Sequence, residues 1–297
     1  HALQGRRIVS DANGYYIDNT GSKPVVRRVR IKDGKPVFPH YNFDSLWGAH
    51  WSINILWSMV YPELMDGFCN TMIDMYRNGG QIPRGPAGGD YTYIMVGDPA
   101  TSFFANAYNK GIRNYDIEIA YEGLMKNAFE EGIRDSAVWR KAHNGSMKYY
   151  LNHGFVPEGV LPGKDRGASL TLEYAYQDWC LAQLSKQLGK KDDYDMLMNR
   201  AQNYTHLWNP VNRYMHPREE DGSWITDFKP IADTKTTRGF VEANASIYTH
   251  FVPHDIAGLA RLFGGNHAYN NALKKKKKKA KNQGFVAKTR KMHASGW

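Results

Sequence analysis

The sequence predicts an all-α fold of paired helices, and three patterns carry that reading. Apolar residues recur at helical spacing from about Phe43 onward, glycines stop the segments at helix-length intervals, and short β-branched runs between turn signals occur in the first 40 residues. Apolar content of 42% and charged content of 23% belong to a folded globular chain, and 297 residues suffice for one large domain or two small ones.

Residues 1–42 carry the turn signals Asp11-Ala12-Asn13-Gly14 and Asp33-Gly34 around runs such as Val25-Val26, and read as a short irregular, partly stranded N-terminal entry segment or linker. From Leu46 to Tyr61, Leu46, Ile53, Leu56, Trp57 and Val60 fall at helical spacing. Pro62 opens the next helix where its missing N–H costs least, and Gly79-Gly80 stops it. A Pro- and Gly-rich loop spans Pro83 to Gly89. Further helices are expected over about 98–110, 116–131, 135–151, 169–188, 191–207, 243–252 and 255–263, several of them closed by glycine. Helices of this length suggest stacked hairpins; a toroid of helix pairs and a simple bundle both fit the pattern. The body is expected over 43–271.

The net charge of +10 is concentrated at one end. Ten cations between Lys274 and Lys291 leave 29 basic and 29 acidic residues in 1–271. Residues 272–297 therefore read as a basic tail that could bind nucleic acid or an acidic surface, although the self-repulsion of six successive lysines favours disorder. Nucleic acid is not an expected partner of the neutral body. No stretch is apolar and long enough for a membrane helix. The chain opens at His1 without an initiator Met or signal peptide, which reads as a processed or excised piece. Cys69 and Cys180 read as small core residues.

Three constellations could carry chemistry. Glu173 and Asp178 share one helix but stand about 140° apart around its axis, so they are not a ready-made acid/base pair. Glu173 shares a stripe with Gln177, Cys180 and Leu184, which draws it inward. Glu242 sits between apolar neighbours where a loop enters a helix, and desolvation there would suit a general acid. Asp98 precedes a helix, where it could cap or could accept bonds from sugar hydroxyls. His250 and His254 have a zinc-like spacing, but Pro253 interrupts it and no Glu lies between them. Loops rich in Trp, Tyr, Asn and His offer ring faces on which sugar C–H faces stack.

These words occur together in one family. Leu172-Glu173-Tyr174-Ala175-Tyr176-Gln177-Asp178-Trp179, Arg200-Ala201-Gln202-Asn203-Tyr204, Asp221-Gly222-Ser223-Trp224, Glu242-Ala243-Asn244 and Phe251-Val252-Pro253-His254-Asp255 resemble motifs of glycoside hydrolase family 92. Phe43-Asp44-Ser45-Leu46-Trp47, Met95-Val96-Gly97-Asp98 and Lys110-Gly111-Ile112-Arg113 resemble it upstream, so the likeness covers roughly Phe43 to Gly265. The resemblance implies a secreted or periplasmic, Ca²⁺-dependent, inverting exo-α-mannosidase with a β-sandwich before an (α/α)6 barrel, of which this chain holds an incomplete part. It implies that Glu242 is the general acid and that Trp47 and Asp98 contact mannose. Glu173, Asp178 and His254 are the further expected substrate-binding residues. The family's later acidic base motif and its calcium-site stretch have no counterpart here, so missing domains or another chain would complete the barrel. Gly48 stands where the family has Asp, and Pro99 where it has His. A non-catalytic glycan-binding or scaffold protein is the alternative.

Overall fold

The computed structural model describes residues 7–43, 46–129, 132–135, 145–160, 166–231 and 238–282. Its α-helices, in chain order, are α1 (Ile53–Val60), α2 (Pro62–Gly79), α3 (Pro99–Asn109), α4 (Ile117–Asn127), α5 (Ser146–His153), α6 (Gly167–Gln187), α7 (Lys191–Arg200), α8 (Ala245–Tyr248), α9 (Ile256–Leu262) and α10 (Asn266–Asn282). Short 3-10 turns cover Ala49–Trp51, Ile133–Asp135 and Ala201–Leu207. Each sheet among the described residues is a two-stranded antiparallel ribbon.

The punctuation read from sequence is visible in the coordinates. Pro62 is the first residue of α2, and Gly80 closes that helix with φ of 83°, the left-handed conformation glycine adopts freely. Helix α6 is buried on nearly every side because α3, α5, α7 and the turn at 201–207 all pack on it. It separates two apolar cores. One gathers Trp57, Phe68, Phe103 and Leu181; the other gathers Leu172, Leu207, Trp208, Phe251 and Leu259. Burying each large side chain of this kind stabilises the fold by about 1.5–3 kcal/mol. Cys69 and Cys180 are both buried and free.

Two expectations change. Residues 7–42 are more than a linker. The pairing of Arg7–Ile8 with Tyr41–Asn42 closes this segment on itself. The Tyr41 N–H then donates to Thr71 Oγ1 at 3.1 Å and Asn78 Nδ2 to the Tyr16 hydroxyl at 3.1 Å, which docks the segment on α2. The basic tail also begins as structure. Tyr269 and Ala272 anchor α10 in the second core, and the helix runs on through the lysines to Asn282. Lysine is a good helix former, and an anchored helix end offsets the charge repulsion beyond it.

Helix α1 leaves an apolar face uncovered. Ile55, Leu56, Met59 and Val60 are exposed, Met59 by 75%, and Trp51 continues the patch.

Candidate active site

A cavity of about 490 Å³ opens where the turn at 49–51, helix α6, the loop before α8 and helix α10 meet. Its walls include Trp47, His50, Trp51, Glu173, Tyr248 and Phe251. The aromatic rings supply broad faces, and Glu173 supplies a carboxyl group deep in the wall. Trp47 Nε1 donates to Glu173 Oε1 at 2.9 Å, which ties the loop at 46–48 to α6 across 126 residues of sequence. Glu173 is almost fully buried, and burial raises its pKa to about 8 against the lowering effect of the Trp47 bond. At neutral pH it therefore holds its proton. His50 lines the same cavity; burial lowers the imidazole to about 4, and its Nε2 has no hydrogen-bond partner among the described residues.

Glu173 heads a chain of polar contacts running away from the cavity. Gln177, one turn along α6, donates from Nε2 to Glu173 Oε2 at 3.3 Å and accepts the Asp98 N–H on Oε1 at 2.7 Å. Gly97 makes that approach possible. It has φ of 75°, and a Cβ there would lie 2.4 Å from Gln177 Nε2. Asp98 is fully buried, and burial raises its pKa while Arg134 opposes the shift. Its Oδ2 accepts from Thr101 Oγ1 at 2.6 Å and faces Arg134 Nε at 3.8 Å. Arg134 in turn donates to Asp178 Oδ1 at 2.5 Å, and Arg200 and Tyr150 occupy the rest of that carboxylate. The 140° between Glu173 and Asp178 sends one to the cavity and the other to this ionic cluster.

The expected site residues thus divide. Trp47 and Glu173 line the cavity. Asp98 and Asp178 do not; each is fully buried and held by partners inside the protein. His254 does not line it either, because its Nε2 donates to the Ala201 carbonyl at 2.9 Å among Tyr176, Trp179 and Tyr204. Asp98 stands at the start of α3, but its side chain bonds a threonine hydroxyl rather than a helix N–H. Gln177, Arg134 and Arg200 were not singled out from sequence. Gln177 had its place on the Glu173 stripe and Arg200 opens one of the family-like motifs, whereas Arg134 had no signal there.

Glu242 borders the cavity between Val241 and Ala243, which line it. It is exposed rather than desolvated, which corrects the burial expected of it. The reason is its backbone: φ of 52° at a residue with a Cβ turns the chain sharply, and such strain gathers at functional sites. Tyr248, which lines the cavity, lies within electrostatic reach of both Glu173 and Glu242. No group of three or more His, Cys, Asp or Glu side chains suited to a metal ion occurs among the described residues. Ca²⁺ wants six to eight oxygen ligands, and the described residues do not form such a cage. His250 is committed to the Tyr269 hydroxyl at 3.1 Å.

A profile of the glycosyl hydrolase family 92 catalytic domain matches residues 1–295, beyond both ends of the stretch 43–265. The chain is 28% identical to the family GH92 alpha-mannosidase BT3965 from Bacteroides thetaiotaomicron, with a TM-score of 0.77 over 92% of this chain and 33% of that one. The same enzyme in complex with mannoimidazole gives 27% and 0.79 over 93% and 34%. The family GH92 inverting mannosidase BT2199 from Bacteroides thetaiotaomicron VPI-5482 gives 27% and 0.72 over 88% and 34%. Among curated proteins, an uncharacterized secreted glycosidase of Arthroderma benhamiae is 25% identical over 247 residues, 73% of this chain and 30% of that protein. The chain spans about a third of the length of these relatives.

Proposed function

Because this chain belongs to glycosyl hydrolase family 92, we propose that it supplies the acid side of the active site of an exo-α-mannosidase. The observation that carries the proposal is the Trp47–Glu173 hydrogen bond at the wall of an aromatic cavity that Glu242 borders. The mannose ring stacks on that wall, and the neutral Glu173 carboxyl faces its hydroxyls. Glu242 protonates the departing glycosidic oxygen. Water attacks the opposite face of the sugar in a single displacement, activated by a carboxylate roughly 6.5–9.5 Å from the acid. That base and the Ca²⁺ ligands come from the remaining two thirds of the family's length, and the bare apolar face of α1 is where further helices complete an (α/α)6 toroid. Asp98 and Asp178 act through Gln177 and Arg134, by fixing Glu173 from behind.

The whole enzyme works outside the cytoplasm in this reading, in keeping with the secreted relative. No described helix is long and apolar enough to cross a membrane. The test is the configuration of the first product. Proton NMR of the full-length protein acting on an α-mannoside should show β-mannose before mutarotation; initial α-mannose refutes single displacement. A glycan-binding protein without turnover is the second reading, favoured by the exposure of Glu242. Mannoside binding with no mannose released at any pH would establish it.

A further inference from the structure

A second cavity, of about 590 Å³, adjoins the first and shares Ile247, His250 and Lys276 with it. The ribbon at 208–215, helix α8 and helix α10 form its walls. Three cations face it, Arg213, Lys275 and Lys276, and among the described residues no Asp or Glu lines it. Arg213 is pinned, because its guanidinium donates to the Phe263 carbonyl at 2.6 Å and lies 5.2 Å from the centre of that ring. Lys276 is half-buried on the partition between the two cavities and makes no ion pair among the described residues.

A half-buried ammonium group without a counter-ion is costly, and like charges around one concavity add to the cost. Burial brings Lys276 down to about 8, so it stays charged at pH 7 but is strained electrostatically. Burial lowers His250 to about 4, so it adds a neutral hydrogen-bonding ring rather than a fourth charge. An anion seated here relieves the repulsion and gains charge-assisted hydrogen bonds. The shared partition means that one extended ligand can reach both cavities.

We propose that this second cavity binds an anionic substituent, phosphate or carboxylate, on a glycan whose neighbouring sugar occupies the cavity at Trp47 and Glu173. The glycan part rests on the mannosidase reading; the anion part rests on the cavity itself. Isothermal titration of the full-length protein tests both, with methyl α-mannoside, its 6-phosphate, the matching 6-carboxylate and inorganic phosphate as probes. At least one charged mannoside should bind tenfold or more tightly than methyl α-mannoside, and the larger ratio names the source as phosphate or carboxylate. That ratio should fall towards one in Lys276→Met and at high salt, and should survive in Lys276→Arg, which keeps the charge and the helix. Equal affinities in the wild type, or a ratio unchanged in Lys276→Met, overturn the proposal. If inorganic phosphate binds but neither charged mannoside exceeds the neutral one, the glycan assignment is overturned. Failure of methyl α-mannoside to bind would count against the mannosidase reading, and phosphate binding weakened by Lys276→Met would still support the anion site.

Discussion

Glu173→Gln replaces a buried, protonated carboxyl group by a neutral side chain of the same shape. The pKa of Glu173 goes from 4.5 to about 8 on folding. A difference of about 3.5 units, at 1.36 kcal/mol each, is about 5 kcal/mol. The folded state holds a proton that the unfolded chain gives up above pH 4.5. The stability linked to that proton is therefore complete below pH 4.5 and is lost as pH rises to 8. The variant has nothing to lose. Its advantage over the wild type should be near zero at pH 4.5 and should grow by about 1.4 kcal/mol per pH unit up to pH 8. Denaturant unfolding of the full-length proteins at pH 5, 6.5 and 8 measures this gap. His50 and His250, both held near 4, lower the stability of wild type and variant alike as their unfolded imidazoles charge below 6.5, and so cancel from the gap, as does Lys276 at the upper edge of the window. A gap that does not change with pH would refute the assignment of Glu173 as a neutral carboxyl group.

Trp47→Phe removes the hydrogen bond that favours the ionised form of Glu173, so the carboxyl should titrate still higher; mannoside affinity should fall as the carboxyl loses the bond that positions it against the loop at 46–48. A carboxyl infrared titration together with a binding isotherm reads both effects. Asp178→Asn leaves Arg200 without its carboxylate and Arg134 with only the more distant Asp98, and should destabilise the fold by about 3–5 kcal/mol, measured by denaturant midpoint. Gly97→Ala places a Cβ against Gln177 at a left-handed φ and should cost on the order of 1–3 kcal/mol, with mannoside affinity falling as the Gln177–Glu173 contact loosens.

Local signals were legible where they depended on neighbours in sequence. Helix α2 runs from Pro62 to Gly79 as its proline and glycines require, and α6 matches its periodicity to within two residues at its start. The angular offset between Glu173 and Asp178 followed from helix geometry, but their destinations did not. Arg134, which takes up Asp178, sits on a short turn 44 residues away and has no periodic signature. Glu242 shows the opposite failure. Its apolar neighbours suggested burial, yet positive φ turns the side chain outward while Val241 and Ala243 face the cavity. The lysine run was read by charge alone, whereas Tyr269 and Ala272 carry the helix into it. The family words ended at Gly265, while the family match extends to 295.

Glu242→Gln in the full-length protein, assayed on two substrates, tests the central claim most directly. General acid catalysis contributes on the order of 10²–10⁴-fold when the leaving group is a poor one. An activated aryl α-mannoside needs little protonation of its departing oxygen. Mannose release from an unactivated α-mannoside should therefore fall by at least about 100-fold, with a much smaller loss on the aryl substrate. Near-normal release from the unactivated substrate, or equal losses on both, would contradict the role of Glu242 as the proton donor.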